Sequence, residues 1–100
     1  MEKQYDMREH GPLFVDKQKA KMIYKDILEL DPNNNIVEIN LSGIVSMTTI
    51  CAKLIFGRLC KNLGSHIYHR NIKFVGKSEG IDLVIAMGIA SALQDDFEEV

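Results

Sequence analysis

One change of hydrophobic period, inside residues 36–63, constrains the fold of this chain more than any other feature. Val37, Ile39 and Leu41 alternate with polar residues, which is the period-two pattern of a half-buried strand. After residue 48 the apolar residues recur at steps of three and four, which gathers them on one stripe of a helix. These helix residues are Ala52, Ile55, Phe56, Leu59 and Leu63. The segment therefore predicts a strand that leads through a short loop into a helix.

Helix signals lie on both sides of this strand. Asp16 is the predicted N-cap of a helix over residues 17–30, and Pro32 with the three asparagines after it ends that helix. Gly64 is the predicted C-cap of the helix that begins near residue 48. Residues 65–70 are predicted to form a polar connection.

Strand, turn and helix-cap signals also occur near both ends of the chain. Residues 4–8 are expected to form a first strand that turns at Gly11 and Pro12 and pairs as a hairpin with residues 13–15. A further strand is predicted over residues 71–75, and Ser78 is the predicted cap of a last helix over residues 79–93. Because carboxylates are unfavourable at a helix C-terminus, the acidic residues 94–100 are expected to lie beyond this helix.

Helices that alternate with strands predict a single α/β domain over residues 1–100, with a small, mainly parallel sheet. Right-handed crossovers between parallel strands place the helices chiefly on one face of that sheet. Glu38, Asn40 and Lys73 lie on the opposite side of their strands, so the other face is expected to be only partly covered.

Composition narrows the classes of partner. The net charge of -2 at pH 7 provides no basic excess of the kind that dominates nucleic-acid binding. No apolar run reaches the roughly 20 residues that span a bilayer, and no secretory signal opens the chain, which favours a cytoplasmic location.

Cys51 and Cys60 lie about 13 Å apart along the predicted helix, beyond the reach of a disulfide. They are expected to be packed thiols in a reducing compartment.

The chain contains few of the groups that catalysis needs. It has no glycine-rich phosphate loop followed by lysine, no nucleophile elbow and no paired-cysteine metal spacing. We therefore expect a protein that is not an enzyme and that binds no cofactor or metal. His66 and His69 leave a small metal-dependent enzyme as the least favoured alternative.

Hydroxyl side chains cluster where the strand meets the helix. An N-cap at Thr48 or Ser46 explains at least one of the three hydroxyls of Ser46, Thr48 and Thr49, but a single cap does not explain all three. A phosphate at this position would face unsatisfied backbone N–H groups and the positive end of the helix dipole. Thr49 is the first candidate for phosphorylation, followed by Thr48 and Ser46.

Two apolar surfaces are candidates for contact with another protein. Ile50, Leu54 and Gly57 fall opposite the core stripe of the central helix. With Lys53 and the loop residue Met47 they form the predicted partner-binding set, although a neighbouring loop that covers them is an equal alternative.

The last helix carries the second surface. It is apolar on all sides, and such a helix is either buried on two sides or part of an interface. Leu83, Val84 and Met87 are expected to point away from the sheet. A constitutive homodimer or scaffold that uses this helix, without phosphorylation, is the main alternative function.

Residues 36–59, from the strand through Leu41-Ser42-Gly43 and Met47 into Leu54-Ile55-Phe56-Gly57-Arg58, resemble the central segment of STAS domains, the fold of bacterial anti-anti-sigma factors. The whole chain resembles more closely a bacterial STAS-like family of unknown function. In STAS domains a partner kinase phosphorylates a serine or threonine at the helix start. Aligned to that loop, Met47 matches its methionine, Thr48 stands at its aspartate and Thr49 at its first hydroxyl.

The resemblance implies a regulatory, non-catalytic domain in bacterial signal transduction. Its implied partner is a histidine-kinase-type ATPase or another regulatory kinase, which would dock on residues 46–58. Ile50 replaces the second hydroxyl of the STAS loop and Cys51 replaces its glycine.

Overall fold

A computed structural model describes residues 1–94 of the chain as an α/β domain. The strands are β1 (Glu2–Asp6), β2 (Leu13–Phe14), β3 (Ile36–Asn40), β4 (Ser46–Met47) and β5 (Ile72–Val75). The helices are α1 (Lys17–Leu28), α2 (Thr49–Ala52), α3 (Arg58–Leu63), α4 (Ser65–Asn71) and α5 (Glu79–Gln94), with a 3-10 turn at Met7–His10 and a π-helical segment at Lys53–Gly57. Because the backbone is helical without interruption over residues 49–63, we call α2, the π segment and α3 together the central helix.

The main sheet contains three parallel strands in the order β1-β3-β5. Val37, Ile39 and Leu41 are fully buried under the helices, whereas Glu38 and Asn40 are half-buried on the opposite face. A shallow pocket opens on that opposite face, and Gln4, Asp6, Glu38 and Asn40 are among its lining residues. The predicted small parallel sheet with helices on one face is confirmed.

The predicted N-terminal hairpin is wrong. β1 spans Glu2–Asp6 and pairs in parallel with β3, while β2 pairs in parallel with β4 in a separate two-stranded ladder. The Asp6 carboxylate accepts a hydrogen bond from the Arg8 N–H at 2.9 Å and starts the 3-10 turn, so the chain coils after β1 instead of reversing. The carbonyl of Pro12 then accepts from the Val45 N–H at 2.8 Å, which joins this segment to the middle of the chain.

The predicted helix caps are confirmed. The Asp16 carboxylate accepts from the Gln18 N–H at 2.9 Å, and the Ser78 hydroxyl accepts from the Ile81 N–H at 3.2 Å. Gly64 ends the central helix with a φ of 88°, in a region that favours glycine. Residues 65–70, predicted as a polar connection, instead belong to α4.

Three further features of the fold concern the two cysteines, the apolar character of the helices and the end of α5. Cys51 and Cys60 are both buried and free, as predicted. Within residues 1–94, no helix combines the length and the apolar character needed to cross a membrane. α5 includes Gln94, the first residue of the segment 94–100 that was expected to lie beyond this helix, and the rest of that segment lies outside the described residues.

Candidate partner-binding site

The start of the central helix is held in place by the β2–β4 ladder. The Thr48 N–H donates to the carbonyl of Phe14 at 3.0 Å, directly after the last residue of β4. The Thr48 hydroxyl accepts from the Cys51 N–H at 3.2 Å, and its carbonyl accepts from the Ala52 N–H at 3.0 Å. Of the three clustered hydroxyls, Thr48 is therefore the N-cap.

This cap predicts a selective effect on stability. We expect Thr48→Ala to lower the free energy of unfolding by about 1 kcal/mol, because the Cys51 N–H loses its acceptor. Thr48→Ser keeps an acceptor oxygen and should stay within about 0.5 kcal/mol of the wild type. Urea unfolding followed by circular dichroism measures both. Equal stability of the two variants would contradict the capping role.

The other two hydroxyl residues lie at the surface. Ser46 is exposed and lies opposite Leu13 in the β2–β4 ladder. Thr49 is the exposed first residue of α2. Thr48 is also exposed as a whole residue although its hydroxyl caps the helix. The helix start is therefore a corner of the molecule that another protein can reach.

The π segment changes which side of the central helix faces outward. Each residue of a π-helix rotates about the helix axis by roughly 20° less than a residue of an α-helix. Over the five residues of the segment, the side chains that follow are therefore rotated by about 90° from the positions that a continuous α-helix would give them. This rotation moves Gly57 away from Ile50 and into line with Ala52 and Lys53. Gly57 is buried there, and a Cβ on it would stand 2.6 Å from the Ala92 Cβ and 2.8 Å from the Gly88 carbonyl oxygen.

Part of the predicted partner-binding set is therefore not at the surface. Gly57 is covered by α5, which corrects its predicted outward position, and the cover is a helix instead of a loop. Met47 is buried in the hydrophobic core, since alternation along β4 points it inward beside Phe14. Leu54 is half-buried against the core, and Lys53 is half-buried. Ile50 remains exposed, with 46% of its surface accessible.

The last helix packs directly on the central helix. Gly88 lies against the backbone of Ala52 and Lys53, and Gly57 lies against Gly88 and Ala92. The contacts advance in the same direction along both helices, so the two helices run side by side and roughly parallel. The first turns of α5 consequently lie level with the start of the central helix, and α5 contacts α2 and β4.

This packing places side by side the two helices on which the sequence predicted separate surfaces. On α5, Leu83 is 61% exposed and Met87 is 48% exposed, while Val84 is half-buried against the core. Ile50 is exposed on the neighbouring helix. We call Ile50, Leu83 and Met87 the two-helix face. It adjoins the corner that carries Thr49.

Groups with catalytic or metal-binding potential lie apart from this face. His66 and His69 are exposed on α4, and the His69 Nδ1 lies 2.9 Å from the carbonyl oxygen of Ser65. Among residues 1–94, no group of three or more His, Cys, Asp or Glu side chains has the arrangement of a metal site. Burial raises the pKa of the Cys60 thiol, which keeps it protonated.

Sequence reasoning missed the contact that aligns the two helices. The sequence feature that could have predicted this contact is a set of small residues, which permits a close approach of two helix backbones. These residues are Ala52, Gly57, Gly88 and Ala92. The result is a surface shaped for contact, with exposed apolar side chains on two packed helices beside a capped helix start.

Comparison of the chain with protein-family models, with curated proteins and with solved structures finds no match.

Proposed function

We propose that this protein is a non-catalytic regulatory domain that docks a protein partner through the exposed residues within 46–58 and the adjoining part of α5. The observation that carries the proposal is the two-helix face, where Ile50, Leu83 and Met87 expose large apolar side chains on two helices in contact. Apolar side chains that cluster at the surface of a small domain are typical of an interaction site. The partner would cover this face and reach the helix start.

Phosphorylation of Thr49 would switch this docking. A phosphate adds close to two negative charges at neutral pH and would lie at the positive end of the central helix. Thr49 is exposed, and its backbone opens α2. Thr48 and Ser46 follow as candidates, because a phosphate on Thr48 would remove the hydroxyl that caps the Cys51 N–H, and Ser46 lies in β4, outside the helix.

The resemblance to STAS-like domains suggests the class of partner. We propose a histidine-kinase-type ATPase or another regulatory kinase, in a bacterial pathway that resembles anti-anti-sigma signalling. The exposed corner at Thr48 and Thr49 agrees with this assignment, because that is the loop such a partner would reach. Two free, buried cysteines suit a reducing compartment, and we propose a cytoplasmic location.

Capture of partners from a lysate of the source organism tests the docking face. We expect Ile50→Glu to reduce recovery of the partner at least tenfold, since a carboxylate would replace an apolar contact within the proposed interface. Met22→Glu is the matched control, because Met22 is exposed to a similar extent on α1, with 43% against 46% for Ile50. Proteins recovered equally with both variants, and with the wild type, would contradict docking at this face.

Intact-mass measurement tests the switch separately. The purified protein is incubated with ATP and the kinase recovered as its partner. We expect the mass of one phosphate to be added to the wild type and to Met22→Glu, and none to Thr49→Ala. A gain that persists in Thr49→Ala and is lost in Thr48→Ala or Ser46→Ala would move the modification to that residue. A wild type without any gain would remove phosphorylation from the proposal.

A constitutive homodimer through α5 is the second candidate function, because Leu83 and Met87 are the more exposed part of the two-helix face. Static light scattering of the wild type and of Met87→Glu separates the two functions. A stable dimer that Met87→Glu dissociates would favour the homodimer. A monomer at micromolar concentration leaves the face available for a different protein.

A further inference from the structure

A groove lies on the other flank of α5, along the outer edge of β5. The strand order β1-β3-β5 places β5 at an edge of the sheet. The groove between β5, α4 and α5 has a volume of about 400 Å³, within the range of roughly 300–1,000 Å³ that is typical of binding sites. Its floor is apolar, and the floor residues are Tyr68, Ile72, Phe74, Ile85, Ala86 and Ile89.

The backbone of β5 offers hydrogen bonds to this groove. The Val75 carbonyl accepts from the Leu41 N–H at 2.8 Å, so Val75 directs its backbone groups toward the centre of the sheet. Successive residues of a strand direct these groups to alternate sides, so the N–H and C=O of Phe74 face outward. The Ile72 N–H is already bonded to the carbonyl of Tyr68. Phe74 therefore presents the donor and the acceptor that one residue of an added strand requires.

The charged side chains on the rim of the groove indicate the sign of the charge on the ligand. Lys77 forms an ion pair with Asp82 at 2.7 Å, and its Nζ lies 4.8 Å from the centre of the Phe74 ring. Lys73 lines the same groove, with its Nζ 3.4 Å from the carbonyl oxygen of His69. The rim thus carries two lysines and one carboxylate, a local positive excess on a chain whose net charge is -2.

We propose that this groove binds an extended acidic segment of a partner protein, which adds beside β5 as a fourth strand. Strand addition to a sheet edge obtains affinity from main-chain hydrogen bonds and specificity from alternate side chains. The backbone of the segment would pair with Phe74. One bulky apolar side chain would cover the floor at Ile85 and Ile89, and the acidic side chains beside it would lie near Lys73. This surface is independent of the two-helix face, which lies on the opposite flank of α5.

A blocked peptide of sequence Asp-Glu-Phe-Glu-Asp is the probe for the full chain. Titration into isotopically labelled protein, followed by NMR, should shift the amide signals of residues 72–75 and 82–89. Binding should also slow hydrogen exchange of the Phe74 N–H, which a side-chain contact alone would leave unchanged. Alternate N–H groups of an added strand point to opposite sides, so only one alternate set can pair with β5. Two versions of the peptide, each N-methylated on one of the two alternate sets, test this pairing. The version methylated on the set that pairs with β5 should not bind, and the other version should still bind.

Charge variants complete the test. Lys73→Glu should weaken peptide binding about fivefold, since it replaces an attraction by a repulsion at the rim, and Lys25→Glu, an equal charge change on α1, should not alter it. A peptide with lysines in place of the four acidic residues should not bind. The proposal is overturned if millimolar peptide produces no shift, if both methylated frames bind like the parent, or if the basic peptide binds equally. Shifts at residues 72–75 that depend on protein concentration without peptide would assign the edge to a second copy of this chain, and would also overturn it.

Discussion

Replacing Gly88 by alanine is expected to lower the free energy of unfolding by about 2–3 kcal/mol. A Cβ at this position would stand 2.7 Å from the Ala52 carbonyl carbon and the Lys53 nitrogen, and 2.8 Å from the Ala52 Cβ. These atoms belong to the backbone of the central helix or are attached to it, so they cannot rotate away. The helices would have to separate, which would also disturb the packing of Gly57 against Ala92.

Gly80→Ala is the matched control in the same helix. A Cβ at Gly80 meets no atom within 4 Å, and Gly80 is not among the glycines with a positive φ. Because Gly80 is the second residue of α5, the gain from the helix propensity of alanine should be smaller than the roughly 0.5–1 kcal/mol of a helix interior. Alanine should therefore leave the free energy of unfolding unchanged or raise it slightly. Urea unfolding monitored by far-ultraviolet circular dichroism measures both variants.

A Gly88→Ala protein as stable as Gly80→Ala would show that α5 does not approach the central helix as closely as described. The two-helix face would then lose its structural basis, because the close contact at Gly88 is what holds α5, which carries Met87 and Leu83, against the helix that carries Ile50. The stability measurement thus tests the geometry on which the proposed docking surface depends. It does so without knowledge of the partner.

Loss of the Asn71 side chain is expected to cost about 2 kcal/mol of unfolding free energy. Asn71 is buried at the end of α4, and its Nδ2 donates to the carbonyl of Pro32 at 2.7 Å and lies 3.4 Å from the carbonyl of Asn33. In Asn71→Ala the Pro32 carbonyl keeps its burial but loses this donor. The cost exceeds that of an exposed hydrogen bond because water cannot easily replace the amide.

Asn34→Ala is the control for this prediction. The Asn34 Nδ2 donates to an oxygen of the Asp31 carboxylate at 3.0 Å in the same loop, but Asn34 is exposed. Its replacement should change the unfolding free energy by no more than about 0.5 kcal/mol. Equal costs for the two asparagines would mean that the Asn71 amide does not anchor the loop after α1 to the start of β5.

Local patterns were sufficient to predict most elements of this fold. The alternation in Val37, Ile39 and Leu41 predicted β3 and its buried face, because side chains of a strand must point to alternate sides. Asp16 and Ser78 were readable as caps, and Thr48 as one of two candidates with Ser46, because a cap depends on N–H groups only two or three residues away. The exposure of Thr49 also followed from its place at a helix start.

Pairings between distant residues were not readable in the same way. The hairpin predicted for residues 4–15 failed because β1 and β2 each have a partner strand more than thirty residues away in the sequence. The amide of Asn71 reaches a carbonyl that lies 39 residues away. No local pattern names such partners, since the free energy of pairing depends on the whole set of contacts that the folded chain permits.

The candidate site divides in the same way. The sequence by itself determined the strand, the capped helix start, the exposed threonine and the excess of apolar residues on α5, because each depends on neighbours within one or two turns. Only the tertiary structure decided which apolar residues stay exposed. The π segment rotates Gly57 under α5, and the close contact at Gly88 brings Met87 next to the helix of Ile50. Both effects arise from the packing of two helices against each other, and a helical wheel drawn for one helix contains no information about the other.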